Sequence, residues 1–260
     1  MVEFSRPIEE CAGLTDFEDH ALKQMIEGLW KTDFGDTLVK TRPSHSVEDK
    51  RALEMMENSF VKVNGHYQVA LPWRSYPPHL QDNRELAVKR CESLKRRLLK
   101  DDDLATKYKA AMTDYIVKGH AERVPDEESK VLDKLVWYLP HHPVTHPLKP
   151  EKVRVVYDCA AKYNQTSLNH ELLQGPDETN RLVGVISRFR MESIGVVADI
   201  ESMFNQVIVD PKDRDVLRFL WWPDGDLSKD LAEYRMTKHI FGAKSSPSIA
   251  DFCVKKTAEL

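Results

Sequence analysis

The residue in this chain whose type and setting point most directly to chemistry is Asp199. It ends the run Ile194-Gly195-Val196-Val197-Ala198, whose β-branched composition predicts a buried strand delivering one carboxylate to an open sheet edge. Hard cations such as Mg2+ take oxygen ligands of that kind. The same side chain could instead cap the turn from Glu201 to Phe204, with Glu201 facing solvent, and spacing alone leaves both readings open.

A second group is basic. Lys149, Lys152 and Arg154 cluster where an extended segment enters a strand. Strand alternation puts Arg154 on one face with Val156 and Asp158, and Val153, Val155 and Tyr157 on the other. Such a cluster suits a triphosphate, because arginine offers a bidentate fork and lysine a compact charge. A same-face salt bridge from Arg154 to Asp158 explains the spacing equally well. Gly242, between Phe241 and a helix expected to be capped by Ser246 with Pro247 in its first turn, would let backbone N–H groups face a ligand. An ordinary strand-to-helix turn accounts for it too. His141, His142 and His146 lie among Pro140, Pro143 and Pro147, and no carboxylate or cysteine at ligand spacing completes a zinc set.

These residues need elements to position them. Ser46 with Asp49 three residues on predicts a capped helix carrying Leu53, Met56 and Phe60. Asn64-Gly65 between Val61-Lys62-Val63 and Tyr67 to Leu71 predicts a hairpin, since both turn residues tolerate positive φ. Ala87, Cys91, Leu94 and Leu98, then Leu104, Tyr108, Ala111 and Tyr115, predict two paired helices, the second ended by Gly119. The first carries Lys89, Arg90, Lys95, Arg96, Arg97 and Lys100 on its outer side, either a phosphate-contacting surface or a solvated helix face. Further strands are expected at 136–139, 152–158, 206–209, 216–222 and 234–238, and a helix through Leu182, Val185, Ile186 and Phe189 before the strand that ends at Asp199. A short helical stretch should end near Trp30. The fold class is therefore α+β, with a boundary near residue 125.

Composition narrows the class of protein. With 41% hydrophobic and 31% charged residues the chain is of globular type. No apolar run reaches the roughly 20 residues of a membrane helix, and Glu3, Glu9 and Glu10 give the start no signal-peptide pattern, so an intracellular location, cytoplasmic or nuclear, is expected, with no membrane partner. A net charge of −4 gives no general attraction to nucleic acid, so any such binding must use local basic surface. Cys11, Cys91, Cys159 and Cys253 lie far apart without a CxxC pair, which points to buried or reduced thiols and excludes a zinc knuckle. No Asp-Thr-Gly or Asp-Ser-Gly triplet occurs, so an aspartic protease site is excluded.

Set in chain order, several motifs become a family. Leu139 to Val144, Lys149 to Asp158, Ser167-Leu168-Asn169, Leu172 to Asp177, Arg188-Phe189-Arg190, Ala198 to Val207, Leu217 to Trp222 and Phe241 to Pro247 resemble the polyprotein of Bel/Pao-type LTR retrotransposons. The upstream part, through Trp30 to Gly35, Tyr67 to Trp73 and Lys118 to Glu122, is similar to the segment joining protease to reverse transcriptase there. The resemblance implies a connecting segment over 1–125, with helices and a β-hairpin. Over 126–260 it implies the fingers and an incomplete palm of a right-hand polymerase.

By that resemblance Asp199 would be the first catalytic aspartate, holding Mg2+ with the Ile200 backbone carbonyl. Phe204 would be the gate against a ribose 2'-hydroxyl. Arg154 with Lys149 or Lys152 would hold the incoming triphosphate, and Phe241 and Gly242 would shape the nucleotide pocket. Partners would be an RNA or DNA template-primer and deoxynucleoside triphosphates, with Lys95, Arg96 and Arg97 as nucleic-acid contacts. In the family a Tyr-x-Asp-Asp turn supplies two further carboxylates, and none occurs here; Asp101-Asp102-Asp103 lies too far upstream to replace it. Two-metal transfer needs the full set. The expectation is a reverse transcriptase fragment with little or no polymerase activity alone, the alternatives being a non-catalytic nucleic-acid-binding module or a retroelement relic.

Overall fold

The computed structural model describes residues 24–25, 45–129, 135–146, 148–191 and 193–259. Gln24 and Met25 are helical; the rest of the stretch expected to end near Trp30, and the Trp30 to Gly35 motif, lie outside the described residues. From His45 to Leu260 the chain forms one compact unit, a mixed α+β fold with small sheets.

Its first elements are local in origin. Helix α1 (Val47–Ser59) opens on a capping box in which the Ser46 hydroxyl accepts from the Asp49 N–H and the Asp49 carboxylate accepts from the Ser46 N–H, both at 3.1 Å. Strands β1 (Val61–Val63) and β2 (His66–Val69) form the expected hairpin, with Asn64 at φ 49° and Gly65 at φ 82°. Helix α2 (Arg84–Leu98) buries the predicted stripe of Ala87, Cys91, Leu94 and Leu98; on α3 (Asp102–Val117) Leu104 and Tyr108 are buried as predicted, Ala111 and Tyr115 pack only half-buried against the core, and Met112, outside the predicted stripe, is buried. Gly119 follows at φ 67°.

The later strands pair back onto these. Strand β3 (Ala121–Arg123) precedes a short helix, α4 (Asp126–Ser129), and strands β4 (His141–His146) and β5 (Lys149–Tyr157) form an antiparallel ladder. After the short helix α5 (Leu168–Glu171) and helix α6 (Leu182–Phe189) come β6 (Ile208–Val209), β7 (Arg218–Trp221), β8 (Ala232–Met236) and helix α7 (Ser246–Ala258). Strand β6 joins the first hairpin in parallel to β2, while β3, β8 and β7 make a second antiparallel sheet. The main core gathers Trp137, Trp221, Tyr108, Tyr157 and Phe219 from both halves of the chain.

Several buried polar groups are matched, while the Trp137 indole N–H and the Tyr157, Ser245 and Ser248 hydroxyls meet no hydrogen-bond partner among the described residues. Arg218, 1% exposed, lies 2.8 Å from Asp215 and 3.0 Å from Glu233, while Arg235 meets Glu122 and Glu128, each at 2.7 Å. His141 sits in the core with Nε2 2.9 Å from the Leu220 carbonyl and Nδ1 2.6 Å from the Tyr108 hydroxyl. A carbonyl only accepts, so Nε2 carries the proton and Nδ1 accepts from the tyrosine. Burial pushes the His141 pKa down to about 4. Cys91, Cys159 and Cys253 are free and buried, and burial raises all three thiol pKa values, that of Cys91 to about 12.

Three expectations are corrected. The segment 136–139 is no strand: the Asn83 side chain clamps Tyr138, donating to its carbonyl at 2.8 Å and accepting its N–H at 2.7 Å. The Trp137 and Leu139 N–H groups bond to the Asp215 and Arg218 carbonyls, leaving a single bridge from Tyr138 to Arg218, and the strand starts at His141. Ser246 is not the helix cap; Ser245 holds that place without a side-chain bond, and the Ser246 hydroxyl donates to the Ile240 carbonyl at 2.7 Å. Third, 194–198 forms no strand. Ile194, Val196 and Val197 are 80%, 83% and 84% exposed, and among the described residues no backbone pairs with them. A β-branched run becomes a strand only when a neighbour takes its hydrogen bonds.

Candidate functional site

Of the expected nucleotide-facing residues, Phe204, Phe241 and Gly242 come together between the entry to β6 and the start of α7. The Val209 N–H bonds to the Thr237 carbonyl at 2.9 Å and the His239 N–H to the Val207 carbonyl at 3.0 Å, so the chain entering β6 runs antiparallel to 237–239. Just before β6, residues Met203–Gln206 make a 3-10 turn behind Ser202, which takes a left-handed φ of 51°. This pairing sets Phe204 beside Phe241, with ring centroids 4.4 Å apart and planes tilted by 53°. Thirty-seven positions of sequence separate the two rings (204 to 241).

Gly242 is required where it stands. Its φ is +111°, and a Cβ there would lie 2.2 Å from the Tyr157 carbonyl oxygen at the end of β5. Asn169 holds the turn from the other side, its amide donating to the Gly242 carbonyl at 2.8 Å and its oxygen accepting the Lys244 N–H at 2.9 Å. Burial, with the Arg74 charge nearby, keeps the half-buried Lys244 ammonium below its usual pKa range. Asn169, the Tyr157 carbonyl and Lys244 were not among the expected site residues. The signal for Asn169 was the polar end of Ser167-Leu168-Asn169, readable only once its partner turn is known.

Arg154 is exposed on β5, three residues before Tyr157, or about 10 Å at strand rise. Val155 and Tyr157 are buried on the opposite face, as alternation predicts. The alternative bridge to Asp158 does not form: Asp158 accepts the Ala160 N–H at 3.2 Å, and among the described residues Arg154 has no ion pair. Lys152 is exposed on the same strand; Lys149 is its first residue, with a side chain outside the described set.

Asp199 is exposed, on irregular backbone rather than at the tip of a buried strand, and it does not cap the following turn, whose N-cap is Ser202. Glu201 faces solvent. Ile200 is 47% exposed. Among the described residues no group of three or more His, Cys, Asp or Glu side chains is placed to hold a metal ion. One isolated carboxylate does not fit a two-ion Mg2+ centre, and no catalytic step follows from it.

No protein-family model matches this chain, and no curated protein matches it either.

The remaining expected contacts lie elsewhere. Lys95, Arg96 and Arg97 form the last turn of α2, where cations also complement the helix dipole. Arg97 joins Arg90 in lining a recess against β4, whose lining includes neither Phe204 nor Phe241. Among the described residues no helix is long and apolar enough to cross a membrane.

Proposed function

We propose that this chain carries the nucleotide-facing part of a reverse transcriptase of the Bel/Pao retrotransposon type, whose substrates are a template-primer and deoxynucleoside triphosphates. The observation that carries the reading is the Phe204 to Phe241 pair, 4.4 Å apart, seated beside a glycine that touches the end of the Arg154 strand. In this reading Arg154, with Lys149 or Lys152, takes the triphosphate, Phe204 rejects a 2'-hydroxyl, and Phe241 with Gly242 shapes the pocket. With Asp199 as its one carboxylate of the three that the reaction uses, the chain alone holds a nucleotide and does not extend a primer.

The test is binding of a fluorescent deoxynucleoside triphosphate. A charged guanidinium to phosphate contact is worth roughly 1.5–3 kcal/mol, so Arg154→Ala should weaken binding about tenfold or more. Unchanged affinity, or no nucleotide binding by the parent chain, would overturn the reading. Template-dependent extension that vanished with Asp199→Ala would overturn the claim of inactivity.

The lone carboxylate favours a second reading, a non-catalytic nucleic-acid-binding module. Nucleotide binding lost in Arg154→Ala without loss of RNA binding supports the first reading over this one.

A further inference from the structure

Between Leu182 and Ile200 the chain turns its apolar residues outward. Ten large ones are 41–84% exposed there, and Leu182, Val183, Met191, Ile194, Val196 and Val197 are each 70% exposed or more. At about 100 Å² for each fully exposed side chain, they present on the order of 700 Å², above the roughly 300–600 Å² of the largest apolar patch on a typical monomer. Two elements build this face. Helix α6 places Leu182, Val185, Ile186 and Phe189 along one side, and the run 194–198 returns beside it, with the Phe189 ring against Gly195. Among the described residues no backbone pairs with that run, so a stretch rich in β-branched residues is left open to a strand from another chain.

The charges at the two ends of the face select the chain that covers it. Arg188 and Arg190 stand at one end and Asp199 and Glu201 at the other; all four are exposed, and among the described residues none forms a salt bridge. The segment is therefore its own complement when reversed. A two-fold axis through its middle sets the basic end of one copy against the acidic end of the other, twice over, with the apolar run between them. An anionic membrane surface would meet both carboxylates as repulsion. The size agrees as well, because a stable interface buries roughly 800 Å² on each partner, an apolar centre with a charged rim.

We propose that this face is the interface of a symmetric dimer of the chain, with 194–198 of the two copies paired antiparallel at its centre and Arg188 and Arg190 of each copy facing Asp199 and Glu201 of the other. Dilute chains keep the face open to solvent, and rising concentration drives the pairing. The interface does not depend on the nucleotide reading, which a monomer would leave standing.

Interfaces of this size bind at about micromolar or tighter, so sedimentation equilibrium up to about 100 μM should show the mass double with concentration. A chain still monomeric there overturns the proposal, and so do assemblies that keep growing past two copies. Arg188→Glu with Arg190→Glu makes both ends acidic, and Asp199→Lys with Glu201→Lys makes both ends basic. Each pair alone should raise the dissociation constant about tenfold or more, and the two variants mixed in equal amounts should dimerise again, because every end then meets its opposite. Loss without recovery on mixing overturns the pairing. Should either variant fail to fold, Ile194→Cys takes the place of the mixing experiment: mild oxidation should cross-link two copies through it, whereas Val47→Cys, at a site 84% exposed on α1, should stay uncrosslinked. Equal cross-linking at both positions overturns the interface. A monomer drawn to phosphatidylserine vesicles marks a lipid-facing surface, and a monomer closed to an apolar dye marks cover from elsewhere in the chain; either overturns the dimer.

Discussion

Trp73 donates its indole N–H to the carboxylate of Asp213 at 3.0 Å, and the other oxygen of that carboxylate accepts the Leu71 N–H at 2.8 Å. Asp213 is 2% exposed and lies in the 3-10 segment Pro211–Leu217, so one buried side chain ties the strand exit after β2 to the approach to β7. Residues before and after 125 thus share one core. Burial pushes the Asp213 pKa above its usual value, against the pull of those two donors. Asp213→Ala strands two buried donors, each costing roughly 1–3 kcal/mol, so urea unfolding should show a loss of about 2–6 kcal/mol. A change below about 0.5 kcal/mol, the range of surface substitutions, would show that the tie is dispensable.

Acid should unfold the chain through two histidines. His141 and His239 are both held by burial at a pKa of about 4, with His239 Nε2 donating to the Val69 carbonyl at 3.1 Å. In the unfolded chain both titrate near 6.5, so between about pH 6.5 and pH 4 the unfolded state binds more protons and stability falls as pH falls. The full shift is worth roughly 3 kcal/mol per histidine. The depressed Asp215 carboxyl, hydrogen-bonded by Arg218 and Arg235, adds a further loss only lower in pH, as its folded-state pKa is crossed. Denaturant titrations from pH 7 to pH 4.5 should show the decline; a flat profile would mean that these imidazoles are accessible to protons in the native state.

Gly242→Ala should dislodge the turn that presents Phe241. The new methyl would collide with a backbone oxygen 2.2 Å away at a φ of +111°, a conformation costing a non-glycine residue roughly 1–3 kcal/mol. Lower thermal stability together with weaker nucleotide binding is expected, and normal values of both would mean that the Tyr157 strand end yields easily.

The apolar surface from Leu182 to Val197 should behave as surface. Leu182 and Val183 are 70% and 77% exposed, and the Phe189 ring folds over Gly195, where a Cβ would come within 2.4 Å of it. Val197→Asp should therefore change stability by less than about 0.5 kcal/mol while lowering the binding of an apolar fluorescent dye. A loss of several kcal/mol would place Val197 in a buried strand after all.

Where hydrogen bonds close within a few residues, the elements could be read directly. The Ser46 and Asp49 box, the Asn64-Gly65 turn and the stripe on α2 depend on neighbours in sequence, and each formed at its expected place. The alternation along β5 was equally legible, because a strand's two faces are dictated by its own period.

Partnership across the chain was a different matter. Residues 136–139 and 194–198 have equally strand-like composition, yet Asn83 claims the backbone of the first and no described backbone reaches the second. Residue types nominated Asp199, Phe204, Phe241 and Gly242 one by one. That the two rings meet, that the glycine is locked against Tyr157, and that Asp199 stands alone in solvent depend on contacts between distant segments, which residue order leaves free and packing of the folded chain decides.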